Sequence, residues 1–325
     1  MDLDAVLQPV YILTLAVVEL LINLVCVPVS AINFLLIVKT SVIHPNLKHI
    51  LLYQSACILG RGMCRFTACF LKFVLLSPMA SEYIEPIGTV YSFFVFNRNS
   101  LVHVLIIERV LATVMVKSYE RKRKPYFALG WLAVLLSLSL YNSISYRMKE
   151  LSILLTNVAL LSSAAIELYL FALLRKYSAR AYRQSLKSAA GHHLSERYQL
   201  SENVRIGKQL IPTLVVHPLN IMSSTLTTSW NFFGIAGANY VMVSCATFSS
   251  FCSLLIEISI IMCHPFLKRD FDHLMNSFIF RSRISENVAA ESVTRIAMTN
   301  ILSGERLVTG QRQEEHFEML RELWN

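Results

Sequence analysis

Long apolar runs alternate with short polar breaks along the chain, and seven of the runs reach the roughly 20 helical residues needed to cross a bilayer core. They cover approximately residues 11–38, 51–76, 87–116, 127–145, 152–174, 210–230 and 240–263. The expected fold class is therefore all-α and integral to the membrane, a seven-transmembrane helix bundle. The first and third runs exceed the minimum, which implies tilt or extension into water. YRMKEL, at residues 146–151, is the only polar break between the fourth and fifth.

Flanking segments complete the expected domain plan. Residues 1–10 form a short extracellular N-terminus, too acidic for a signal peptide. In residues 265–281, Leu267, Phe271, Leu274 and Phe278 follow at spacings of four, three and four, with Lys268, Arg269 and His273 on other faces. That pattern predicts an amphipathic juxtamembrane helix lying on the inner membrane surface. Residues 282–325 read as a polar cytosolic tail, with Ser285, Ser292, Thr294, Thr299, Ser303 and Thr309 open to kinases if it is extended.

Charge gives the orientation. The segments after runs one, three, five and seven hold 23 Lys and Arg, whereas the N-terminus and the other three connections hold two. Omitting the tail leaves 15 against two. The positive-inside rule then places the N-terminus outside and the C-terminus in the cytosol. Residues 175–209 are basic and rich in helix formers, so the fifth and sixth helices are expected to continue past the membrane.

Composition agrees with a membrane protein. Mean hydropathy is +0.51, and charged residues make up 16% of the chain, against roughly 25% in a soluble domain. The net charge of +9 is spread between apolar runs, which fits an anionic lipid leaflet and not a nucleic acid. All seven cysteines lie in or beside apolar runs without CxxC spacing, so they read as packing residues. No Asn-x-Ser/Thr acceptor occurs. A phosphate loop, zinc motif and nucleophile elbow are all lacking, so neither an enzyme nor a cofactor is expected.

Several ionisable residues nonetheless fall inside the runs: Glu19, Arg61, Arg65, Lys72, Arg98, Glu167 and Glu257. Charge at that depth must face protein or water. Arg61 and Arg65, four apart, share one helix face. Arg98 stands eleven residues before Arg109, three turns away on nearly the same face. Glu19 is expected to answer Arg65, Lys72 or Arg98, while Glu167 or Glu257 answers Arg109. The set would form an interior polar network or, around Arg98, an anchor for a polar or anionic ligand. The many Ser and Thr of runs six and seven would line a pocket or let helices pack closely, and packing is the commoner use.

Glu108-Arg109 lies at the cytosolic end of run three, shortly before a block of positive charge beginning at Lys117. It would act either as a switch that holds the bundle closed until the helices move, or as a charged pair reaching for the inner headgroups.

Three segments carry a family resemblance: ERVLAT with SYE (Glu108 to Thr113, Ser118 to Glu120), LSERYQLSENVR (Leu194 to Arg205) and HPNLKHILL (His44 to Leu52). Together they resemble the nematode serpentine chemoreceptors, most nearly the class epsilon (Sre-like) group of the Sra superfamily, with the alpha/beta class as neighbour. The resemblance implies a G-protein-coupled receptor at the plasma membrane of a sensory neuron, in its cilium. A small-molecule odorant would be its ligand and a heterotrimeric G protein its partner. Glu108, Arg109, Tyr119, Glu120, Arg197, Tyr198 and Arg205 are the coupling and switch residues this implies. Glu108-Arg109 stands where rhodopsin-like receptors carry an acid-Arg-Tyr motif, with Val110 replacing the aromatic residue. A seven-span ligand-gated channel subunit or a transporter is the alternative, although the charge count and the lack of an internal repeat fit neither.

Overall fold

The computed structural model describes residues 3–41, 43–75, 80–115, 125–145, 151–187 and 194–280. Tyr119, Glu120 and the tail at 282–325 lie outside the described residues. Eight helices stand among those described: α1 (Leu3–Lys39), α2 (Pro45–Leu75), α3 (Ala80–Val114), α4 (Tyr126–Ser145), α5 (Leu151–Lys187), α6 (Leu194–Phe232), α7 (Ala238–Cys263) and α8 (Pro265–Phe280). The fifth runs well past its apolar stretch, and the sixth begins well before its own.

Between α6 and α7 the turn depends on Gly234 and Gly237, whose φ angles of 62° and 79° favour a residue without Cβ. Trp230 Nε1 donates to the Ala236 carbonyl at 3.1 Å across the same turn. At the other end His264 breaks α7 with φ −96° and ψ 110°. Pro265 then opens α8, where a missing N–H costs nothing. Leu267 of α8 is fully buried and Phe271 packs against the core, so α8 is held on the bundle by its apolar face.

The helices close into one bundle. α1 packs on α2 and α7, α7 on α6, and α6 on α5, while α3 runs through the middle in contact with α2, α4, α5 and α6. Gly60 of α2 leaves room for the Phe94 ring of α3, since a Cβ there would stand 2.4 Å from Phe94 Cζ.

Polarity is arranged for a membrane. α4 exposes Leu129, Val134, Leu138, Leu140 and Ile144 while burying Ser139 and Asn142. Among the described residues the two bulkiest fully buried side chains are Arg61 and Arg98. A soluble protein does the reverse, keeping guanidinium groups wet and large apolar side chains inside. Among the described residues, α1, α3, α4, α5 and α7 are long and apolar enough to cross a bilayer on composition alone. α2 and α6 are not, because α2 carries Arg61 and Arg65 and α6 carries His217, Asn220 and several hydroxyls. All seven cysteines are free thiols.

Candidate functional site

The site is built from α3. Asn97, Arg98 and Asn99 are consecutive and all buried, and successive helix residues point about 100° apart, so the three reach different neighbours. Asn97 Oδ1 accepts Tyr53 Oη of α2 at 2.5 Å. Asn99 Nδ2 donates to Ser224 of α6 at 3.1 Å. Arg98 crosses the interior: Nη1 donates to Ser253 of α7 at 2.7 Å, and Nη2 to Asn220 of α6 at 2.8 Å and Ser249 of α7 at 3.3 Å. One arginine thus ties α3 to both α6 and α7.

A second cluster joins α1, α2 and α7. Glu19 accepts two hydrogen bonds from Arg65, through Nε at 2.6 Å and through Nη2. Ser250 of α7 donates to Glu19 at 3.1 Å. Arg61 reaches the same turn of α7, donating from Nη2 to Ser250 at 3.0 Å and to the Ala246 carbonyl at 3.3 Å. Arg61 and Arg65 both lie over the Tyr91 ring of α3, at 5.5 and 5.3 Å from its centroid. Below them Glu257 of α7 is fully buried and accepts from Asn33 of α1 and, at 3.0 Å, from Ser55 of α2.

Toward the other end of α3, His103 Nδ1 and Glu167 of α5 are 2.6 Å apart. Glu108 is fully buried and accepts from both Nε and Nη2 of Arg109. One turn later the Ala112 carbonyl accepts Asn203 Nδ2 of α6 at 3.1 Å. Arg205 pairs with Glu202 on α6 at 2.5 Å. A cleft of about 20 Å³, lined by Leu47, Leu51, Glu202, Ile206, Ile260 and His264, opens beside this end. Arg197 and Tyr198 lie near the start of α6.

These contacts revise two expectations. Arg109 was expected to meet Glu167 or Glu257, but both carboxylates are engaged elsewhere and its guanidinium folds back onto its neighbour Glu108. A long side chain can curl onto an adjacent carboxylate as readily as it reaches across a bundle. The hydroxyls of the sixth and seventh runs also divide. Thr225, Thr227, Thr228, Ser229 and Thr247 bond back to carbonyls four residues earlier, as Ser and Thr in membrane helices commonly do. Ser224, Ser250 and Ser253 do so as well, but these three and Ser249 also serve the α3 and α2 polar side chains. Asn33, Ser55, Asn203 and Asn220 gave no sequence signal, because a neutral amide or hydroxyl in an apolar run marks no particular partner.

His264 links the site to α8. Its Nδ1 accepts the Leu267 N–H at 3.5 Å, capping the first turn. Burial, and then the nearby Arg205 charge, push its pKa down to about 4 from the usual 6.5. Above pH 6.5 the ring is neutral in folded and unfolded chains, and its contribution is fully present. As the pH falls toward 4 the unfolded chain takes a proton that the folded one refuses, so stability is lost. Between pH 7 and pH 5 this amounts to about 2 kcal/mol at about 1.4 kcal/mol per pKa unit. The thermal midpoint of purified protein is therefore expected to fall about 4–8 °C further over that interval than that of His264→Asn, which keeps a cap but does not titrate. Equal falls in both proteins would refute this role.

The family model described as Sre G protein-coupled chemoreceptor matches residues 87–325. Serpentine receptor class alpha/beta-14 of Caenorhabditis elegans is 34% identical over 132 residues, covering 36% of this chain and 34% of that receptor. The chain thus spans about a third of the length of this curated relative. Squid rhodopsin superposes with a TM-score of 0.66, over 88% of this chain and 90% of that one, at 12% identity. At that identity the likeness shows the fold alone.

Proposed function

The chain belongs to the Sre family of G-protein-coupled chemoreceptors, and from that premise we propose that it detects a small external molecule and signals to a heterotrimeric G protein. The observation that carries this reading is the way α3 and α6 meet at two levels. Arg98 and Asn99 hold Asn220 and Ser224 of α6 in mid-bundle, and the Ala112 carbonyl holds Asn203 beyond Glu108-Arg109. A molecule that disturbs the first contact favours a different position of α6, and the second contact is the one that must open. The ligand acts only through its preference for the opened arrangement.

Contacts between neutral polar groups in membrane helices are worth about 0.6 kcal/mol each on average, and the one from the Arg98 guanidinium about 1.5–3 kcal/mol. A few of them keep α6 in place without locking it, which suits a bistable element. Arg109, freed from Glu108, becomes the cation that a partner meets, and Tyr119, Glu120, Arg197, Tyr198 and Arg205 are the further coupling residues that the family resemblance implies. The cluster of Lys and Arg after α1, α3, α5 and α7 supports an orientation with the N-terminus outside and this surface in the cytosol. The plasma membrane, and the cilium of a sensory neuron, is the compartment where such a receptor meets its ligand.

Antibody access to an N-terminal and, separately, a C-terminal tag tests the orientation. Intact cells are expected to bind antibody at the N-terminal tag, with the C-terminal tag reached only after permeabilisation. The opposite pattern would put Glu108-Arg109 on the wrong side for a G protein and end the receptor reading.

A further inference from the structure

In the middle of the bundle the described residues carry more positive charge than negative. Among the described residues Arg61, Arg65 and Arg98 face two carboxylates in the middle of the bundle, Glu19 and Glu257. Glu19 is committed to Arg65 through both of its oxygens. Glu257, one turn beyond Ser253 on α7, is turned toward Asn33 and Ser55. Arg61 and Arg98 are left with neutral partners only: hydroxyls, amide oxygens and one backbone carbonyl.

Around these two arginines the hydrogen-bond inventory is short of the same kind of group. Arg61 Nε and Nη1, Arg98 Nε and Asn220 Nδ2 are buried N–H donors without an acceptor, and the acceptors left without a donor elsewhere on α1 and α7, Asn23 Oδ1, Asn33 Oδ1 and Glu257 Oε1, bond to none of them. The two guanidinium groups also converge. Arg61 is held by Ser250, and Arg98 by Ser249 and Ser253, so both meet a stretch of α7 that rises only about 6 Å. Two fully buried cations beside one turn of helix, with four donor atoms unused, form a strongly unfavourable arrangement unless an anion joins them. Arginine suits that task better than lysine, since its planar fork offers paired donors to a carboxylate.

We propose that Arg61 and Arg98 form the binding site for the anionic group of a compact ligand, a carboxylate or an ion of like charge, placed between α2, α3 and α7. The proposal rests on the receptor reading for the source of an organic anion. Arg65 has no part in it because Glu19 already neutralises it. Tyr11 lies further toward the start of α1, exposed, bonded to Ser244 of α7 at 2.9 Å and edge-on to Tyr240 at 5.5 Å.

The test uses full-length receptor in neutral detergent, with the thermal midpoint read from the unmasking of its buried cysteines. A low-salt zwitterionic buffer sets the baseline. Sodium chloride or sodium hexanoate at equal ionic strength is then compared with hexanol and methyl hexanoate. A saturating anion is expected to raise the midpoint by about 5 °C, with no rise from the alcohol or the ester. A response to chloride would mark a solution ion as the occupant, and a response to hexanoate alone the carboxylate of an organic ligand; either supports the site.

Arg61→Met is expected to abolish the rise while leaving the low-salt baseline level or higher, because it removes an uncompensated buried charge. A rise that survives the substitution, equal effects of hexanol and hexanoate, no anion effect at all, or a baseline that collapses in Arg61→Met would each overturn the proposal. Nucleotide exchange on a reconstituted G protein, measured in parallel, separates the two readings. An anion-dependent midpoint without exchange keeps the site and removes the receptor function. Exchange without any anion effect does the reverse.

Discussion

Replacing Arg109 with alanine is expected to abolish agonist-driven nucleotide exchange, while Glu108→Gln raises exchange in the absence of ligand. Glu108 is fully buried, and Arg109, at 4% exposure, donates to both of its carboxylate oxygens. The carboxylate holds the guanidinium against the bundle. Neutralising it weakens that hold without changing the side chain's shape, and a bias of about 1.4 kcal/mol toward the opened state multiplies its population about tenfold. Removing the arginine instead takes away the group that meets the partner, and no gain in opening compensates.

The exchanged pair, Glu108→Arg with Arg109→Glu, separates a switch from a strut. Adjacent residues can re-form the contact in either order, so the thermal midpoint is expected to stay within a few degrees of wild type. Exchange should nonetheless be lost, since the carboxylate now stands where the cation must emerge. Wild-type exchange from the swapped pair, measured at equal surface expression, would show that the contact is purely structural.

Glu19→Ala is expected to produce a large loss of stability. Taking one partner from a buried ion pair costs about 3–5 kcal/mol, because the other charge is left in a medium that cannot solvate it. Glu19 is fully buried, whereas the Arg65 side chain is 19% exposed and retains some access to solvent, so the lower figure applies. At about 2–4 °C per kcal/mol, that corresponds to a midpoint about 6–12 °C below wild type. The paired change Glu19→Leu with Arg65→Met should recover most of the loss, as apolar replacements of buried ion pairs commonly do. Additive losses in the double variant would mean that the two residues act independently.

The pairing of Glu19 with Arg65 could be narrowed from the sequence to three cations, because few charges in the first two and third runs stood at compatible depths. The common face of Arg61 and Arg65 followed from their spacing alone, and both duly flank Tyr91. The depth rule failed for Arg109. It lists residues that stand level across a bundle, yet side-chain rotamers decide whether an arginine reaches across or curls back onto its neighbour. The serines of α7 were hidden for a related reason. In sequence Ser249, Ser250 and Ser253 look like the hydroxyls around them, and only the helix rotation that lets them also meet side chains of α2 and α3 separates them from Thr247, whose hydrogen bond stays within its own helix.

Hydrophobic run length and the count of basic residues are local, additive properties of the chain, and a bilayer reads both directly. For that reason the sequence by itself determined the seven-helix membrane fold, its expected orientation, and the need for interior partners at Glu19, Arg61, Arg65, Arg98 and Glu257. Which partners those are depends on helix rotation, axial shift and side-chain rotamer, none of which is written in any single run. The tertiary structure alone decided that Arg65 has an acid while Arg61 and Arg98 have only neutral oxygens, and so where an anion would complete the bundle.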